Sequence, residues 1–213
     1  MYKARGTVLV VGLATLVAAA LVSGGAAVAR APRGLVADMK NTSGATVGKV
    51  RFIPTDDGKV LVRATAAGLT PGFHGFHVHT TGQCDPNAQD TSGAAVPFFT
   101  AGGHYNPGTT THGAHAGDMP PLLVTADGTG VLRFKTDRFK NRDLMDADGS
   151  AVIMHAGPDN LAHIPATTTT GEERYHSHSE TASDYTFGPD ALTKATGDAG
   201  ARFACGVVQR VNS

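Results

Sequence analysis

His77-Val78-His79 places two imidazoles at positions i and i+2 of a strand-like run, where both project from one face. Two rings on one face can hold one metal ion. An H-x-H triplet also arises by chance, so the pair gains weight only from further donors. These follow in a polar segment as His104, His112, His115 and Asp118. Three imidazoles and a carboxylate form the donor set of a tetrahedral zinc site. A solvated polar loop is the plain alternative. His155 closes the apolar run 151–154, and a ring beside a buried strand needs a partner to offset burial. A satisfied core histidine is the competing reading there. Asp159, four positions on, is placed to orient metal-bound imidazoles through hydrogen bonds. His74 falls on the opposite face of a regular strand from His77, and is expected to hydrogen-bond loop backbone. His176-Ser177-His178, with His163 nearby, reads as solvated loop rather than a second centre.

The elements that must carry these residues are short. Segments 35–40, 47–53, 59–67, 73–79, 122–126, 131–136, 151–156 and 203–209 show strand-like patterning, eight strands in all. Asp56-Asp57-Gly58 and Asp127-Gly128 mark hairpin turns. Residues 137–146 read as turn or loop. The expected class is therefore all-β, a sandwich or barrel. Few charged residues (17%) together with 27 Gly and 11 Pro favour it over a helical bundle. Residues 80–121 and 157–202 lack strand pattern, and loops this long are functional or disordered. The first holds His104, His112, His115, Asp118 and Cys84. The second holds 167–170, a threonine run, and part of it is expected to be flexible.

Residues 1–29 read as an export leader. Lys3 and Arg5 make a basic start, 7–22 is almost wholly apolar, and Ala27-Val28-Ala29 supplies a cleavage pattern, with the cut expected after Ala29. An uncleaved anchor is the alternative, because residues 6–29 are uncharged and could span about 30 Å of hydrocarbon. A short linker, 30–34, then leads to one domain, 35–213. Export places the protein in the periplasm, cell envelope or extracellular space, and with the leader removed no stable membrane association is expected. In that oxidising setting Cys84 and Cys205 read as a disulfide; two buried thiols are the alternative. Lys and Arg total 18, as do Asp and Glu, which excludes the basic excess of a nucleic-acid binder. Attraction for an anionic substrate must then be local.

Gly72-Phe73-His74-Gly75-Phe76-His77-Val78-His79 followed by Cys84 resembles the signature of copper-zinc superoxide dismutases. Gly103-His104-Tyr105-Asn106-Pro107, His115-Ala116-Gly117-Asp118, His155 with Asp159, and the run from Gly200 to Val208 are similar to further family elements, in the same order. The resemblance spans about 35 to 208. It implies an eight-stranded Greek-key β-barrel with two long functional loops, and disproportionation of superoxide to dioxygen and hydrogen peroxide. It implies copper ligands His77, His79, His104 and His155, and zinc ligands His104, His112, His115 and Asp118. His104 would bridge the two ions and share catalysis with Arg202, which guides superoxide. Asp159 would link ligands of both metals, and Cys84 and Cys205 would form the intrasubunit disulfide. Monomeric and homodimeric members occur, so both assemblies stay open. Only two residues separate His112 from His115, a shorter zinc subloop than is typical. A copper-buffering envelope protein without turnover is the rival function on the same scaffold.

Overall fold

The computed structural model describes Met1 and residues 34–165 and 188–211. The leader, 167–170, His176 and His178 lie outside the described residues. The chain divides into two units, Met1–Arg30 and Ala31–Ser213. Among the described residues no helix is long and apolar enough to cross a membrane.

Among the described residues, ten antiparallel strands form one nearly closed barrel: β1 (Leu35–Asn41), β2 (Thr46–Pro54), β3 (Val60–Ala67), β4 (Gly72–His74), β5 (Phe76–His79), β6 (Leu122–Val124), β7 (Thr129–Thr136), β8 (Ala151–His155), β9 (Arg202–Val207) and β10 (Gln209–Arg210). The order around the sheet is β4-β6-β7-β3-β2-β1-β9-β8-β5, with β10 paired to β1. The steps from β3 to β4 and from β7 to β8 cross over, as in a Greek key. The expected run 73–79 is split at Gly75. Its first half pairs with β6 and its second with β8, so chain continuity joins the two ends of the sheet. A side chain at residue 75 would crowd Ala199, His77 and His155, which explains both the glycine and the break.

Alternation places Leu35, Ala37 and Met39 of β1, Val50 and Phe52 of β2, and Val60, Val62 and Ala64 of β3 in one core with Phe76, Val78, Val152 and Met154. The Asp-Gly turns behave as their chemistry requires: Gly58 and Gly128 both take positive φ, 74° and 78°. β8 is buried on both faces. Its other side, Ala151 and Ile153, packs with Phe98, Ala101 and Cys205 under the first long loop. Cys84 and Cys205 are disulfide-bonded, fixing that loop to β9. The second loop ends in a short helix, α1 (Ala191–Thr196), capped by Asp190 accepting from Thr193 N at 2.7 Å. The sequence pattern gave no sign of α1, because six residues are too few for a helical period to register.

Candidate metal centre

β5 places His77 and His79 on its outer side, away from Phe76 and Val78 in the core. One edge of β5 pairs with β8. The other is covered by the first long loop, through Tyr105 N to Val78 O (2.8 Å) and Val78 N to Gly117 O (2.9 Å). These contacts bring His104 beside His79 and Asp118 beside His77. A register shift between Met154 and His155 re-aims His155 and sets it opposite Arg202, a common use of irregular strand pairing near functional sites. His74 serves the frame as expected, its ring nitrogens 2.9 Å from His155 O and 2.8 Å from Thr70 O.

Ligand atoms of His77, His79, His104 and His155 lie within 4.8 Å of one another, and all four residues are buried. The outer hydrogen bonds fix the tautomers of three of them. His77 Nε2 donates to Asp159 Oδ2 (2.7 Å), His79 Nδ1 to Gly102 O (2.9 Å) and His155 Nδ1 to Gly200 O (3.0 Å). Carboxylate and carbonyl oxygens only accept, so each of these nitrogens carries the hydrogen. The lone pairs are left on His77 Nδ1, His79 Nε2 and His155 Nε2, and all three atoms are buried without a hydrogen-bond partner among the described residues. Such atoms are costly to leave unmatched. Burial pushes His79 well below its ordinary pKa, His104 down to about 4 and His155 down to about 3. The rings are therefore neutral near pH 7, the state in which imidazole binds a metal. Four convergent imidazoles suit copper.

The second group adjoins the first through His104. Asp118 Oδ1 lies 2.9 Å from His104 Nδ1, 3.2 Å from His112 Nδ1 and 3.3 Å from His115 Nδ1. His112 Nδ1 is 3.2 Å from His104 Nδ1. A tetrahedral ion with bonds of 2.0–2.1 Å requires donor separations of about 3.3 Å. The four spacings match an ion-sized gap. Asp118 Oδ2 is occupied by Gly113 N (2.7 Å) and His115 N (2.9 Å), which leaves Oδ1 as the single free donor. The short subloop thus does not scatter the ligands. Atoms of His77 also come within 4.8 Å of His104, His112 and Asp118. Its Nε2 is committed to Asp159, however, so His115 completes this group better.

Asp159 joins the two groups, with Oδ1 accepting from His112 Nε2 (2.7 Å) while Oδ2 accepts from His77. Burial lowers the pKa of His112, but carboxylates at both ring nitrogens overcome it and raise the group to about 9. Against the upward pull of burial, hydrogen bonds from the histidines hold both Asp118 and Asp159 well below the usual carboxylate range.

Arg202 donates to Phe98 O and, at 2.7 Å, to Gly102 O. It lines an open cleft of about 470 Å³ with His79, His104 and His155. Gly102 O therefore serves both the arginine and His79. Three supporting residues escaped the sequence reading. Arg138 donates to Gly113 O and His115 O across the short subloop. Lys194 O accepts from His112 N at 2.7 Å. Gly197 presses so closely on Asp159 and His112 that a side chain there would collide with both, and its φ is +63°. The helix that Gly197 ends left no sequence pattern, and the other two contacts have no local signal either. His163 is exposed and belongs to neither group.

The nearly closed antiparallel barrel carries two adjoining donor groups, joined through His104, that could hold two metal ions. Residues 46–208 match the family described as copper/zinc superoxide dismutase. A copper-zinc superoxide dismutase of Mycolicibacterium paratuberculosis is 42% identical over 187 residues, covering 86% of this chain and 77% of the relative. One of Mycobacterium tuberculosis is 45% identical over 152 residues, 70% of this chain but only 58% of that longer protein. The solved Cu/Zn superoxide dismutase of Brucella abortus is similar with a TM-score of 0.57 at 30% identity, covering 83% of this chain and 99% of its own. The chain belongs to the copper/zinc superoxide dismutase family.

Proposed function

We propose that this chain is an exported superoxide dismutase in which His77, His79, His104 and His155 hold copper, and His104, His112, His115 and Asp118 hold zinc. The observation that carries this reading is the set of buried lone pairs on His77, His79 and His155, each left by an outer hydrogen bond that fixes the tautomer. Copper bound there supplies a one-electron couple that converts two superoxide ions and two protons to dioxygen and hydrogen peroxide, while zinc is redox-inert. His104 has Nδ1 in the Asp118 group, which leaves Nε2 for the copper group. Burial makes its ring a weak base, so a proton held at Nε2 is readily given to product. Arg202 keeps its charge and supplies a local positive field beside the cleft. Asp159 holds His77 and His112 in their orientations, and Gly102 O does the same for His79 and Arg202 together.

Export belongs to the same proposal: residues 1–29 are removed, 30–34 are a linker, and 35–213 are the working domain. The leader pattern and the disulfide support it. Pulse radiolysis of protein with copper and zinc content measured tests the activity. A second-order rate approaching the diffusion limit is expected, with His77→Ala abolishing it while the barrel persists. Copper-loaded protein no faster than free buffer would identify a copper-buffering protein instead.

A further inference from the structure

The outer face of the barrel opposite the metal groups has an unusual charge arrangement. Arg51 of β2 lies directly across from Arg63 of β3, and Arg63 directly across from Arg133 of β7. All three are exposed. Like charges directly opposite on neighbouring strands destabilise a sheet, so this row works against folding. β2, β3, β4, β6 and β7 contain no Asp or Glu. Nearby Lys49 and Lys135 are paired with Asp38 and Asp57. The side chains of Arg51, Arg63 and Arg133 have no hydrogen bond or ion pair among the described residues. A shallow groove of about 340 Å³ lies between the last two, lined by Arg63, Thr65, Val131 and Arg133.

An apolar row runs beside the arginines. Phe73 of β4 faces Leu123 of β6. The pairing of Val124 with Gly130 brings Leu123 alongside Val131 of β7. These three side chains are 58%, 48% and 77% exposed. The sheet order sets β3 and β7 across the barrel from β5 and β8, which carry His77, His79 and His155. None of the three arginines and three apolar residues lines the cleft, so a partner on them leaves it open.

We propose that this face docks reversibly on an anionic lipid surface, with the arginine row at the headgroups and Phe73, Leu123 and Val131 at the interface. Cations beside exposed apolar side chains are what such a surface binds. A soluble polyanion would leave the apolar row unused. A second copy docked face to face would bring arginine rows together. The association is salt-sensitive, unlike a spanning anchor, and is independent of the dismutase reading.

Sedimentation of the exported, metal-loaded protein with vesicles tests it. Phosphatidylglycerol–phosphatidylcholine vesicles should retain the protein at low salt and release it at high salt, and pure phosphatidylcholine should retain it far less. Each arginine contributes about fivefold at an anionic surface, so R51Q/R63Q/R133Q should lose about a hundredfold in partitioning. Its circular-dichroism spectrum should match that of wild type, which shows that it has folded. R63Q should also raise the thermal midpoint by about two degrees as repulsion is relieved. Intact-mass measurement first confirms that the protein used lacks the leader, because a spanning anchor would hold wild type and variants alike. Equal vesicle binding by wild type and the triple variant would overturn the proposal. So would binding of polyphosphate as tight as vesicle binding and unaffected by V131S or F73S, which would point to a soluble polyanion. A wild-type dimer in sedimentation equilibrium that L123S dissociates would assign the face to a second copy.

Discussion

Asp159 spends one oxygen on His77 and the other on His112, and so holds one ring from each metal group. Replacing it with Asn keeps the shape but removes an acceptor and the negative charge. Loss of such an outer partner costs about 10–100-fold in metal affinity. D159N should weaken both zinc and copper binding, measured by competition with chelators; loss confined to one metal would break the link. The same carboxylates set the pH response of the metal-free protein. His112 is raised to about 9 in the fold against 6.5 when unfolded, so its stabilisation is complete below 6.5 and lost as pH rises through 9. His104 and His155, depressed to about 4 and about 3, act oppositely: their contribution is present above 6.5 and lost as pH falls through those values. Metal-free protein should thus be most stable near pH 6.5 in denaturant titrations, and His112→Ala should flatten the alkaline side. A stability still rising between pH 7 and 9 would contradict this.

At the scale of elements, β5 and β8 carry His77, His79 and His155, and two loops bring the remaining site residues to them. The first loop is tied to β9 by Cys84–Cys205. It presents Phe98 O and Gly102 O to Arg202. Closing a loop of 121 residues stabilises by about 4–5 kcal/mol in the chain-entropy model. C84S/C205S should lower unfolding stability by up to that amount and slow turnover through a loosened Arg202. Unchanged stability on reduction would argue against it. These elements also show what was legible beforehand. H-x-H spacing gave the shared face of His77 and His79, and alternation gave the inward residues of β1, β2 and β3. The split of 73–79 was not legible, because the tightest contact forbidding a side chain at residue 75 comes from Ala199, distant in sequence. Neither was the hold of Lys194 O on His112, nor the bridge from Arg138. Each depends on where a loop lands after folding, and composition carries no trace of that.

For the whole molecule, zero net charge means that superoxide is drawn in by local fields. Arg202 lies at the cleft, whereas Arg51, Arg63 and Arg133 lie across the barrel from it. Local focusing raises encounter rates by about 10–1000-fold and fades with salt. Arg202→Ala should therefore slow dismutation and flatten its ionic-strength dependence in stopped-flow or pulse radiolysis. An undiminished salt slope would move the steering elsewhere. The account as a whole depends on four imidazoles from β5, the first loop and the end of β8 meeting at one ion. X-ray absorption at the copper edge of metal-loaded protein reads that directly. The expected spectrum shows four nitrogen donors at about 2 Å with imidazole ring scattering. Two or fewer imidazoles, or a sulfur donor, would contradict it.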